Sequence, residues 1–188
     1  MKKYITTAIF ALIMLIFAIP TQAQFSFGVS YEERPDAPQQ GFGLQLEHSL
    51  LPFNLIASVR ARLHFSYFSQ DASLSVPLNS QPSVEFGKLQ NLDYGGAILG
   101  GLNLGMVTPY IGLGLGVDSW KFELDNYDNS YDDQTINYYG LLGASLSIFP
   151  VIHPYVEYRV SEYGSIDDVR EQMDEGRGRF IVGVKFNF

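Results

Sequence analysis

The chain has 188 residues, no cysteine and a formal net charge of −8, with 46% of its residues hydrophobic. Without cysteine there is no disulfide framework, thiol chemistry or thiolate metal site. The excess of 20 acidic over 12 basic residues excludes a nucleic-acid binder, because phosphate neutralisation needs clustered Lys and Arg.

At the start, Lys2 and Lys3 precede an uncharged apolar run from Ala8 to Ile19, Pro20 breaks it, and Thr21-Gln22-Ala23 supplies small residues. This is the pattern of a secretory signal peptide, expected over residues 1–23 with cleavage after Ala23. The alternative is a membrane anchor, but the run is about a dozen residues where a spanning helix needs roughly 20. With Lys2 and Lys3 gone, 10 basic and 20 acidic residues leave a formal charge of −10 on residues 24–188, a length that suits one domain.

From there the dominant signal is period-two alternation, the mark of a strand between two media. Phe25, Phe27, Val29 and Tyr31 alternate with Ser26, Gly28 and Ser30. Phe42, Leu44 and Leu46 alternate with Gly43, Gln45 and Glu47. The clearest case sets Leu55, Ala57, Val59, Ala61, Leu63, Phe65 and Tyr67 against Ile56, Ser58, Arg60, Arg62, His64 and Ser66. Leu92 to Leu104 opposes an Asp93, Gly95, Ala97 phase, and Ile111 to Val117 opposes Gly112, Gly114, Gly116 and Asp118. Tyr138 to Ile148, Val156 to Val160 and Phe180 to Phe188 complete eight stretches. An even number suits a closed antiparallel barrel.

The connections alternate in kind. Leu50 to Pro52, Gly105 to Pro109 and Phe149 to Pro154 are short, with prolines where a strand can begin. Those near 32–40, 69–83, 121–135 and 162–177 read as long, polar, acidic loops. Short turns on one rim and long loops on the other are the asymmetry of an outer-membrane barrel, with the short turns and both chain ends in the periplasm.

Alternation alone does not say which face points outward. The polar phase is rich in Gly and Ser and carries Glu47, Arg60, Arg62, Asp93, Glu157, Arg159 and Lys185; small plus charged residues suit a crowded lumen. Gly112, Gly114 and Gly116 would make a poor water-facing strand surface. Aromatics mark both ends of the apolar phase: Phe25, Phe53, Phe149, Phe186 and Phe188 near the short turns, Tyr31, Phe65, Tyr67, Trp120 and Tyr138 toward the loops. Two belts around an aliphatic band are what a bilayer selects. The expected fold is therefore all-β, an eight-stranded antiparallel up-and-down transmembrane barrel over residues 24–188.

The chain resembles the OmpA/OmpX-like family of small outer-membrane β-barrel proteins. The resemblance rests on the hairpin asymmetry, on Thr108-Pro109-Tyr110-Ile111-Gly112-Leu113-Gly114 after a short turn, and on the ending Val182-Gly183-Val184-Lys185-Phe186-Asn187-Phe188. It implies that Gly183, Phe186 and Phe188 belong to a signal read by the outer-membrane assembly machinery. It also implies a Gram-negative cell envelope, with membrane lipids and lipopolysaccharide as surroundings.

The inward charges are expected to pair as a salt-bridge plug, since buried charges must be paired or hydrated and eight strands enclose little more than their own side chains. Arg60 and Arg62 are expected at mid-height, Glu157, Arg159 and Lys185 near the periplasmic rim. A narrow channel for ions or small solutes is the second reading, and a lipid-modifying enzyme the third. His48-Ser49 superficially resembles the His and Ser of outer-membrane lipid A deacylases, but it sits beside a short turn, at the wrong rim, with no third group to orient a base. His48 and His153 read as interfacial residues and His64 as a lumen or upper-strand residue. Asp125, Asp128, Asp132 and Asp133 crowd one loop with Asn126, Tyr127 and Asn129; calcium takes six to eight oxygens, yet the glycine and terminal glutamate of a calcium helix–loop–helix are missing, and a solvated loop is the simpler reading. Ser165 to Glu175 has helical spacing at Ile166, Val169 and Met173, with Ser165 as N-cap. No cofactor, metal or catalytic residue is assigned, a monomer is expected, and no extracellular ligand is named.

Overall fold

A computed structural model describes residues 25–50, 56–78, 81–124, 130–149, 151–163 and 178–188. Eight strands follow one another: β1 Phe25–Glu33, β2 Gln40–Ser49, β3 Ala57–Leu78, β4 Gln81–Leu102, β5 Val107–Leu124, β6 Ser130–Leu146, β7 Ile152–Tyr163 and β8 Gly178–Asn187. Each pairs antiparallel with its neighbours, and β1 pairs with β8, so the sheet closes into a barrel. Closure leaves no sheet edge for lipid to leave unsatisfied.

The two faces separate as the alternation dictates. Leu63, Ile98, Ile111, Leu113, Leu115, Ile136 and Leu142 are each more than half exposed, Leu113 at 74%. On the same strands Arg62, Leu99, Asp118, Asn137 and Leu141 are at most 3% exposed. Along β5 the outward phase is apolar from Val107 to Val117 and turns polar at Ser119, Lys121 and Glu123. That span matches the roughly 9–11 residues a tilted strand needs to cross a bilayer. Gly105 holds the short turn before β5 with φ of 79°, a conformation that favours glycine.

The strands run further than the alternation predicts. The polar stretch expected as a loop over 69–83 belongs to β3 and β4, paired in register from Ala57↔Leu102 to Leu78↔Gln81. Likewise β5 reaches Leu124 and β6 begins at Ser130, inside the expected loop 121–135. Polarity marks where lipid ends. A hairpin ladder keeps satisfying its own backbone beyond that point, so hydrophilic composition does not stop a strand. Residues 1–24, with the expected signal peptide, lie outside the described residues. So do Phe53, Asp125 to Asn129 and the helix expected over 165–175.

Candidate functional site in the barrel lumen

The inward side chains form four connected levels. At the short-turn end, Glu47 of β2 accepts from Arg60 Nη1 at 2.7 Å and Arg62 Nε at 2.9 Å, and lies 3.4 Å from Lys185 Nζ. One level up, Arg62 Nη1 donates to Glu157 Oε2 at 2.5 Å, and the Tyr110 hydroxyl donates to the same oxygen at 3.1 Å. Next, Asp93 stands 2.6 Å from Arg179 Nη1, 3.6 Å from Arg159 Nη1 and 3.3 Å from His64 Nε2. His64 Nδ1 is 3.1 Å from the Tyr139 hydroxyl. In the Nε2–H tautomer, His64 donates to Asp93 and accepts from Tyr139.

The uppermost level is closed by packing. Arg179 Nη1 donates to Glu32 Oε2 at 3.0 Å, and the Ser66 hydroxyl donates to Glu32 Oε1 at 2.9 Å. Asp118 accepts from Asn91 at 2.8 Å and Asn137 at 3.0 Å. The β1–β2 turn, held by an Arg34 N–H bond to the Gln39 carbonyl at 2.8 Å, folds Arg34 into the mouth. There its guanidinium stacks 3.5 Å from the centre of the Phe68 ring and donates to Asn91 at 2.6 Å. Phe68 and Asn91 have no exposed surface.

Glycines make the wall thin where aromatics need room. A Cβ on Gly114 would stand 2.2 Å from Tyr139 Cζ, and one on Gly143 2.6 Å from Tyr110 Cζ. The two tyrosines lean over these gaps, and Tyr110 lies under Arg60 and Arg62 while Tyr139 lies under Arg159. Cation–π contact adds to the ion pairs there.

The structure thus brings Glu47, Arg60, Arg62, Asp93, Glu157, Arg159 and Lys185 onto one lumen wall system, but at heights that differ from expectation. Arg60 is three residues into β3 and sits at the short-turn end beside Lys185, not at mid-height. Glu157 and Arg159 stand above it, level with Arg62 and Asp93. Strand tilt sets this stagger, and position along one strand does not reveal it. Trp120 is a further correction: it continues the inward phase of Gly116 and Asp118, with Arg34 Cζ 5.8 Å from its ring centre, and belongs to no lipid belt.

Glu32, Arg34, Phe68, Asn91, Asp118, Asn137 and Arg179 complete the lumen and were absent from the expected set. For Glu32 the signal was parity, carried two residues past Ser30, and Asp118 and Arg179 stand on the polar phase of their own strands. Arg34 lies in a turn, where parity does not apply. His48 stacks on Phe25 with ring centres 4.5 Å apart, facing away from the lumen, whereas the neighbouring Ser49 lines the inner wall. His153 points inward too, with its Nδ1 3.2 Å from the Ser147 hydroxyl. Asp132's side chain lies outside the described set. Gly183 packs against Tyr155, Phe186 pairs with Phe27 on β1, and Phe188, 77% exposed, donates its N–H to the Phe25 carbonyl at 2.9 Å.

A closed eight-stranded barrel with an apolar girdle and an ionic lumen has a match among known families. The outer membrane protein beta-barrel domain matches residues 9–188. The chain belongs to that family and is an outer-membrane protein. A comparison with curated protein sequences finds no match. Among solved structures, this outer-membrane barrel is similar to a major outer membrane protein from Thermus thermophilus (16% identity, TM-score 0.60), covering 89% of this chain and 100% of that one. It is also similar to Neisserial surface protein A (14% identity, TM-score 0.55, 89% and 98% covered). Ail of Yersinia pestis, solved with the heparin analogue sucrose octasulfate, shares 16% identity at a TM-score of 0.55, with 89% and 100% covered. At these identities the likeness is one of fold.

Proposed function

We propose that the protein is a monomeric outer-membrane barrel with a plugged lumen that works through its extracellular hairpins, as a structural or surface-interaction protein. The observation that carries this reading is the Arg62 side chain, with no exposed surface, clamped between Glu47 and Glu157 across the full bore. Phe68 and Leu99, both fully buried, thicken the same plug. The β3–β4 and β5–β6 hairpins continue past the apolar girdle, which supports looking to them for the working part. In this reading lipids and lipopolysaccharide contact the girdle, and the bilayer-spanning body serves to hold the β3–β4 and β5–β6 hairpins outside the cell.

Planar-bilayer recording tests it. The expected result is no discrete conductance from folded wild-type protein. Stable ion currents whose selectivity changes in Arg60→Gln would replace the plug with the second reading, a narrow channel, for which the cavity at the periplasmic end is the favouring observation. The terminal Gly183, Phe186 and Phe188 are proposed as the segment read by the assembly machinery. Phe188→Ser is expected to lower the folded outer-membrane yield, measured as heat-modifiable protein, and an unchanged yield removes that role.

A further inference from the structure

At the periplasmic rim the lumen opens into a cavity of about 280 Å³. Its inner end is the Glu47, Arg60 and Lys185 cluster, laid on Tyr110 with Arg60 Cζ 5.0 Å and Lys185 Nζ 5.2 Å from the ring centre. Its walls carry the Ser58 and Ser147 hydroxyls and the Asn187 amide. Above, the Arg62–Glu157 pair closes the bore, so the cavity is a blind vestibule open on one side.

Two independent observations describe what it would hold. The first is charge. Among the described residues three cations converge on Glu47, and only Arg62 of them has a second carboxylate, Glu157. Arg60 and Lys185 therefore share what remains of one negative charge, and the vestibule carries an excess of positive charge. The second is an unfilled set of donors. Arg60 is 8% exposed, yet among the described residues its Nε and Nη2 have no hydrogen-bond partner, nor has the Ser58 hydroxyl. Buried donors without acceptors cost free energy. Water can accept those bonds but does not offset the charge. An anion with several oxygens does both, and guanidinium is the side chain best shaped for it.

We infer that this vestibule is a periplasm-facing binding site for a small oxyanion of the phosphate, sulfate or carboxylate type. The volume leaves room for about nine waters at roughly 30 Å³ each, enough for such an anion with part of its hydration shell. The ligand is a free ion or the anionic end of a larger periplasmic molecule. The site lies on the open side of the plug, so it stands or falls independently of whether the lumen above conducts.

The test is a titration of ¹⁵N-labelled folded protein in micelles with sodium phosphate, against sodium chloride at matched ionic strength. Saturable shifts are expected at the Gly105 and Asn187 amides and at Arg60 Nε–H, with competition by sulfate. Affinity is expected to fall about tenfold or more in Arg60→Gln and in Lys185→Gln, the loss of one charge-assisted bond, and to persist in Lys121→Gln at the opposite rim. Both lumen variants leave Glu47 paired with Arg62, and heat-modifiable gel mobility checks that they fold. Should either fail to fold, Ser58→Ala supplies the smaller loss of one hydroxyl donor. A phosphomonoester with a bulky substituent separates the sources: equal binding points to a tethered anionic group, exclusion to a free ion. Shifts linear in phosphate, matched by chloride, or unchanged in both Arg60→Gln and Lys185→Gln overturn the inference.

Discussion

The two ends of the lumen carry the same kinds of charged residue and reach opposite outcomes. At the extracellular end, Glu32, Asp118, Arg34 and Arg179 are packed with Asn91, Asn137 and Phe68 until Phe68, Asn91 and Asp118 have no exposed surface. At the periplasmic end, Glu47, Arg60 and Lys185 face a lining of serines, Thr108, asparagines, Gly105 and His153, and a cavity remains. Charge alone therefore closes nothing. Large side chains and amides that share donors with carboxylates close one mouth, and small hydroxylated residues leave the other open. Arg179 at the closed end is matched by Glu32 and Asp93 at short range, whereas Arg60 and Lys185 at the open end share Glu47.

The sharpest way to break this contrast is to remove one ion from the dry plug and one from the open end. Arg62→Ala strips Glu47 and Glu157 of their shared partner in a dry layer, and breaking such a buried pair costs about 3–5 kcal/mol. Arg60→Ala acts at the wet end, where Lys185 and Arg62 remain on Glu47, and should cost clearly less. Urea unfolding midpoints of the two variants should differ in that order; equal losses mean that the periplasmic end is as dry as the plug above it. Phe68→Ala should come next, at about 3 kcal/mol for a vacated aromatic site. It also removes the ring under Arg34 and Arg179, so a rise in conductance from this variant would show that packing at the upper mouth holds the seal. The smallest effect belongs to Lys121, half-exposed beyond the girdle and paired with Glu123. The Lys121 hydrogen bond and charge hold the Glu123 carboxyl below its ordinary range. Lys121→Ala should raise the Glu123 titration midpoint in carboxyl NMR while the unfolding midpoint stays unchanged, because a solvated pair contributes little.

How far the sequence could be read differs between wall and lumen. The lipid-facing phase was readable residue by residue, since Ile111, Leu113 and Leu115 answer only to the bilayer. Strand ends were not, because β3 and β4 continue to Leu78 and Gln81 on backbone pairing that polar side chains neither require nor prevent. Trp120 was misplaced for a related reason: its residue type suggested a belt, but its parity placed it inside.

Sequence by itself determined the two-faced strand, the number of crossings and the inward direction of the charges, because each follows from a period of two acting on one strand at a time. One ion pair needs no more than the hairpin register: Glu47 and Arg62 are direct neighbours across β2 and β3. The partners that face each other across the bore were decided only by closure. Within the sheet Asp93 faces Asp118, and Arg159 faces Arg179, like charges side by side that would oppose pairing if the sheet were open. Rolling the sheet into a barrel sets β4 across from β8 and β3 across from β7. Asp93 then meets Arg179 at 2.6 Å and Arg62 meets Glu157 at 2.5 Å, over separations in sequence of 86 and 95 residues. No local pattern carries that information, because the distance across the bore exists only once the last strand has joined the first.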